Sequence, residues 1–273
     1  MPTLRADLPP LPPGLAKAPV AENGYPVPWF VAWEPIDPER PELGGRPEFR
    51  GADTRKLALA IRERRCWVCG GHLYPDTGGA FPLTGPVPPV TFVIGPMCSV
   101  NRVSAEPPAH YECAKFSAVA CPFLSKPHMK RRENDMTPEQ VKAAHEATAG
   151  VMIARNPGAM CLWSTRSYQA FAAPRGNGRP GVVLFDIGNN PVGTDWYYEG
   201  RPAAPLAVHR AIVAGLPSLY GMLLPGDHQG AAELGAKIEA ARAVWPELTE
   251  EEECTLADEI AARESGEGVP CGA

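Results

Sequence analysis

No stretch of this 273-residue sequence approaches the ~20 apolar residues that a membrane-spanning helix needs. The N-terminus, MPTLRADLPPLPPGLAKAP, lacks the charged start and continuous apolar core of a secretory signal, so a cytoplasmic protein is expected. An excess of positive charge is missing too: the net charge is −5, and the chain as a whole is no electrostatic trap for nucleic acid. Several catalytic signatures are absent. There is no Gly-x-Ser-x-Gly elbow, and no His-x-Glu followed by Pro-Cys-x-x-Cys as a zinc deaminase requires. Gly176-Asn177-Gly178 lacks the strand and helix that flank a dinucleotide-binding loop.

What the sequence does hold is cysteine and proline. Eight cysteines without an export signal argue against a disulfide framework and for metal ligands, catalytic thiols or buried small side chains. The 33 prolines exceed the usual ~5% and concentrate in residues 8–28 and 82–108, which implies long loops around a modest regular core. Charge is uneven: Lys126 to Arg132 is basic, and Glu247 to Glu253 is acidic.

Residues 1–28 read as a Pro-rich, poorly ordered arm. Trp29–Trp33 is a strand candidate, with Glu48–Arg50 as its partner. Asp53 or Thr54 can cap a helix carrying Leu57, Ala60 and Ile61 at helical spacing. Further strands are expected at Val90–Ile94, Met160–Ser164, Val182–Ile187 and Val192–Tyr198, the last two joined by a turn at Gly188–Pro191. Helices are expected after Pro107-Pro108, over Thr137–Gly150, and at Ala204–Ala214, Ser218–Leu223, Asp227–Val244 and Thr249–Arg263. The fold class expected is α+β: a treble-clef-like zinc module, then a small antiparallel sheet with helices. The chain divides as arm (1–28), zinc-binding module (29–125), basic linker and helix (126–150), α+β unit (151–248) and acidic C-terminal helix and tail (249–273).

Cys66-Trp67-Val68-Cys69-Gly70 has the form of a zinc knuckle, in which glycine permits the left-handed turn after the second sulfur. A structural tetrahedral Zn2+ site needs two more ligands. His110 and Cys113 share the two-residue spacing at an expected helix start, so Cys66, Cys69, His110 and Cys113 form the preferred set. Cys98, after a strand, and Cys121, about 12 Å of helical rise beyond Cys113, compete for the second half of the site. A redox dithiol would open a helix after a strand; here the motif follows a helix and precedes Gly-Gly.

Gly95–Arg102 resembles faintly the metal-binding turn of His-Asn-His endonucleases. It carries Asn101 where a second Cys would stand, and only His72 follows the knuckle. The combination of Cys66–Gly70, Phe92–Arg102, Ser104–Ala114, Ala120–Leu124 and Tyr197–Ala203 resembles uncharacterised bacterial and phage proteins with a treble-clef-like zinc-binding motif. That resemblance brings no activity with it; it implies that Glu106, His110 and Cys113 belong to one motif.

The function expected is zinc-stabilised binding. Arg64, Arg65, Arg102, Lys126, Lys130, Arg131 and Arg132 are the candidates for a basic face that contacts nucleic acid. The alternatives are a protein-interaction or assembly module, suggested by the Pro-rich arm and the Trp29/Trp33 and Trp196–Tyr198 clusters, and a zinc-finger-type endonuclease. Asp195–Arg201 also has the residue types of a pocket wall.

Overall fold

A computed structural model describes residues 3–35, 45–82, 84–126, 129, 156–174 and 181–265. The helix expected over residues 137–150, the Gly176–Gly178 loop and the candidates Lys130, Arg131 and Arg132 lie outside the described residues. In chain order the elements are β1 (Val31–Pro35), β2 (Gly45–Ala52), α1 (Thr54–Arg62), β3 (Val90–Ile94), α2 (Pro96–Asn101), β4 (Val103–Ser104), α3 (Tyr111–Ala120) and α4 (Pro122–Ser125). Then come β5 (Ala159–Thr165), β6 (Gln169–Ala173), β7 (Val182–Asp186), β8 (Gly193–Tyr198), β9 (Arg201–Pro202), α5 (Pro205–Tyr220), α6 (His228–Arg242) and α7 (Glu250–Glu264).

The protein is α+β, with three antiparallel sheets among the described residues: β1-β2, β3-β5-β8-β9 and β4-β7-β6. β5 is buried along its whole length, as expected of an inner strand covered on both faces. Its neighbour β3 comes from the other side of residues 126–150, so one sheet and one core run across both stretches of chain. Phe92, Leu162, Trp163, Phe185 and Ile212 fill that core, and the Trp163 indole N–H donates to the Ile187 carbonyl at 3.0 Å.

Local signals account for several boundaries. Asp53 caps α1 by accepting from the Arg55 amide at 2.9 Å. Thr249 and Glu252 form the reciprocal capping box that opens α7. Three expectations change. Gly188–Pro191 does not close a hairpin: β7 pairs with β4 and β6, while β8 crosses to pair with β5. The sheet partner, chosen by burial of Trp196 and Tyr197, outweighs the turn chemistry. The two helices expected around Pro217 are one, α5. Val208, Ala211, Ile212 and Leu219 form a continuous buried stripe that carries the helix past the hydrogen bond lost at Pro217. α2 and β6 were not expected at all.

The N-terminal arm is folded onto the body. A 3-10 turn at Pro13–Leu15 puts Leu15 into the main core at 2% exposure, and Val20 bridges Pro26. Proline restricts the unfolded chain, so docking such a segment costs less entropy than docking a flexible tail. Leu15→Ala is therefore expected to destabilise the protein by about 2–5 kcal/mol, the range for a buried leucine. Urea denaturation measures this, and a loss near zero would mean that the arm contributes nothing to the core.

Candidate metal centre

The knuckle is built by a tight turn. The Gly70 amide donates to the Cys66 carbonyl at 2.8 Å, and the Cys66 amide donates to the Gly71 carbonyl at 2.7 Å. Gly70 has φ +76°, and a Cβ there would lie 2.5 Å from the Trp29 ring, so two independent constraints require glycine. The second ligand pair is delivered by the sheet. β3 bonds to β5 along one edge, while Thr91 on its other edge exchanges hydrogen bonds of 2.7 and 2.9 Å with Ala109. The Trp67 amide donates to the Pro108 carbonyl at 3.0 Å. His110, the N-cap of α3, is thereby held against the knuckle, and Cys113 follows in the first helical turn.

Cys66, Cys69, His110 and Cys113 converge so that their ligand atoms all lie within 4.8 Å of one another. Cys69 Sγ is 3.5 Å and Cys113 Sγ 3.9 Å from His110 Nδ1. A tetrahedral ion with bonds of ~2.3 Å to sulfur and ~2.0 Å to nitrogen separates those donor atoms by roughly 3.6 Å, so the residues fit such an ion. The imidazole is already oriented: Nε2 lies 3.0 Å from the His72 carbonyl, where it donates and leaves Nδ1 free to ligate. Two backbone amides, of Cys69 and His110, donate to Cys66 Sγ at 3.5 and 3.4 Å.

The electrostatics also favour a cation. Burial opposes ionisation of Cys66, but hydrogen bonds involving Cys113, Cys69 and His110 outweigh it and hold this thiol far below its ordinary range. The Cys66 and Cys69 sulfurs, followed by burial, push the Cys113 thiol far up. The same two sulfurs raise the His110 imidazole to about 10. Three crowded sulfurs cannot all ionise beside one another unless positive charge joins them.

The cluster is covered from a remote part of the chain. A Cβ on Gly14 would sit 2.7 Å from Cys69 Sγ and 3.7 Å from Cys113 Sγ, so the N-terminal arm lies directly over the sulfurs. No local signal in the sequence marks Gly14 or the His72 carbonyl for these roles, because both are contacts made by folding.

The competing cysteines lie apart from this cluster. Cys98 is in the first turn of α2, where burial pushes its thiol up to about 11. Cys121 is the C-cap of α3, past the helix that holds Cys113. His72 sits with Nδ1 3.1 Å from the Glu63 carbonyl, and Asn101 accepts from the Val103 amide at 2.9 Å.

Three of the four described candidate basic residues have contacts of their own within the fold. Arg64, with φ +48°, lies over Phe81 and Tyr168 at 4.9 and 5.9 Å. Arg65 bonds Glu63 and the Gly70 carbonyl, bracing the knuckle. Arg102 lies 4.4 Å from the Trp163 ring, and Lys126 is exposed after α4. In Asp195–Arg201, Trp196 and Tyr197 are core residues, 8% and 7% exposed, which rules out a pocket lined by their faces.

Elemental analysis is expected to find one equivalent of a metal ion, lost in Cys66→Ser and His110→Ala and retained in Cys98→Ser and Cys121→Ser. Gly14→Val should weaken retention through the clash at Cys69. Because the ligands bind deprotonated, acidification must release the ion, with stability falling as pH falls. Metal content unaffected by both Cys66→Ser and His110→Ala would remove this assignment.

No family model, curated protein or solved structure matches this chain.

Proposed function

We propose that this protein is a cytoplasmic, zinc-stapled binding protein whose partner is nucleic acid, and that its metal does no chemistry. The observation that carries the metal half is the convergence of three sulfurs and one oriented imidazole within 4.8 Å. A donor set of three sulfurs and one nitrogen in tetrahedral array is characteristic of zinc. Four protein ligands leave no open coordination position, and the arm covers the sulfurs, so the ion acts as a staple worth several kcal/mol of folding free energy. Reduced thiols are the form a reducing compartment maintains.

What supports nucleic acid as the partner is the segment just before the knuckle. Residues 45–65 contain seven basic and three acidic side chains, a net +4 within a chain of −5. Arg46, Arg55 and Arg62 are exposed there. Arg55 and Arg62 are paired with Asp53 and Glu63 at the surface, where such pairs are weak and exchange readily for phosphates. On the β1–β2 ribbon Trp33 is opposite Pro47, and Phe49 follows in the bulge between Glu48 and Ala52. Both rings are 42% exposed, and aromatic rings beside cations are what single-stranded bases stack on.

Fluorescence anisotropy with a labelled single-stranded oligonucleotide should show binding that weakens as salt rises. Replacing Trp33 and Phe49 with Ala should weaken it by about tenfold or more. Arg55→Ala and Arg62→Ala should each lower the salt slope by about one. Absence of binding to single-stranded and duplex probes at low salt would sink the reading and favour a protein partner.

A further inference from the structure

The described part of the N-terminal arm, residues 3–27, is tied together internally. The Arg5 amide donates to the Gly24 carbonyl at 3.1 Å, the Ala21 amide to the Tyr25 carbonyl at 2.9 Å, and the Val27 amide to the Pro19 carbonyl at 2.7 Å. The Arg5 guanidinium pairs with Asp7 at 2.6 Å and lies over the Tyr25 ring at 5.1 Å. Among the described residues, every backbone–backbone hydrogen bond of this segment begins and ends within it; the first to reach the body is that of Trp29 on Val68. Side-chain packing therefore seats the arm. Ala21 and Val27 pack with Val31 and Phe30 at the root of the ribbon, in a cluster apart from the main core. Leu8, Leu11, Leu15 and Ala18 pack against the main core, the cluster that includes Cys66 and Cys113.

The seat over the sulfurs needs two ligands at a fixed separation. A Cβ on Gly14 would lie 2.7 Å from Cys69 Sγ and 3.7 Å from Cys113 Sγ, so one stretch of arm backbone lies against both. Cys113 is set in the first turn of α3, whereas Cys69 has less support. Among the described residues, neither its amide nor its carbonyl joins a backbone–backbone hydrogen bond, and its amide donates to Cys66 Sγ at 3.5 Å. That sulfur is itself a ligand. The spacing of Cys69 and Cys113 is thus fixed chiefly by the ion they share, which draws the sulfurs together and offsets the repulsion between neighbouring thiolates. Without it the surface under Gly14 is free to change, and no backbone hydrogen bond to the body keeps the arm in place.

We propose that the arm is a strap governed by the metal centre: it stays docked while Cys69 and Cys113 share an ion, and lifts from the sulfurs when the ion is lost. This rests on the reading of the four-residue cluster as a metal site. Linkage makes the effect reciprocal: an ion that holds the arm is held by the docked arm by the same factor. Lifting uncovers the two sulfurs and frees Leu8, Leu11 and Leu15 from the core, so the metal-free chain presents a surface that the loaded chain hides. The separate cluster of Ala21 and Val27 keeps the lifted arm tethered beside the ribbon.

The test uses the full chain loaded with zinc, its content verified by elemental analysis, and treated with trypsin before and after chelation. Lys17 is exposed on the arm, and cleavage after it, followed by mass spectrometry, requires the surrounding backbone to leave its seat. Chelation is expected to speed that cut at least about tenfold, the effect of about 1.4 kcal/mol on the open population, while the helical circular dichroism persists. From the other side, Leu15→Ala should weaken zinc affinity about fivefold or more in competition with a chromophoric chelator, the low end of coupling between linked sites. Leu234→Ala, which truncates a buried leucine of the separate cluster around α6, should leave that affinity unchanged. A chain that holds zinc but is cut equally fast with and without chelator, or binds zinc equally well as parent and as Leu15→Ala, overturns the strap and leaves the metal site standing. So does loss of the helical signal on chelation, since the arm would then report only general unfolding. A parent chain that takes up no metal overturns both.

Discussion

Two ligand pairs separated by 40 residues of chain must meet at one point, and most of this architecture follows from that demand. Closing a long loop costs entropy that grows only slowly with its length, so the spacing is tolerable if something positions the far pair. β3 does so. It is locked to β5 on one edge, and its other edge fixes Ala109, which leaves His110 no freedom except the turn into α3. The knuckle answers from its own side through the Trp67 amide on Pro108. The Cys66/Cys69/His110/Cys113 cluster is thus an extension of the sheet's hydrogen bonding, and the buried strand β5 supports it as much as the knuckle does.

The parts legible in the sequence were those fixed by near neighbours. Cys-x-x-Cys-Gly, the Asp53 cap, the Thr249–Glu252 box and the β-branched and aromatic run Val90–Ile94 all act within a few residues, and each recurs in the fold. What was illegible depended on partners far along the chain. β8 abandons the turn beside it for β5 because Trp196 and Tyr197 are buried there. Pro217 stays within α5 because the stripe from Val208 to Leu219 is buried on both sides of it. The arm looked disordered because proline content reports on conformational restriction and says nothing of where a restricted segment docks. Leu15 and Gly14 gain their roles only when the sulfurs are beneath them.

The arginines show the same division between type and use. A count of basic residues near the knuckle suggested one charged face, yet Arg64, Arg65 and Arg102 are each spent on a ring, a carbonyl or a neighbouring carboxylate. Arginine suits such duty: its planar cation stacks and donates in several directions at once, covering apolar surface while its charge stays hydrated. Among the exposed cations, Arg55 and Arg62 have adjacent carboxylates as partners, Asp53 and Glu63. Those pairs have little energetic hold, so availability to a polyanion is set by burial and partner, and position in the sequence is a poor guide to it.

The candidate metal centre also bears on the exposed surface beside it. The β1–β2 ribbon joins the body next to the knuckle: the Trp29 amide donates to the Val68 carbonyl at 2.7 Å, and the Trp29 ring covers Gly70. Lys56 of α1 reaches the Val31 carbonyl at 3.0 Å, and Phe30 stacks on Trp67 at 5.1 Å. A two-stranded ribbon is marginally stable alone, so its orientation depends on these anchors. Every one of them ends on the knuckle, on Trp67 within it, or on the helix leading into it. An ion held by Cys66, Cys69, His110 and Cys113 would therefore also hold rigid the turn on which the exposed ribbon is mounted.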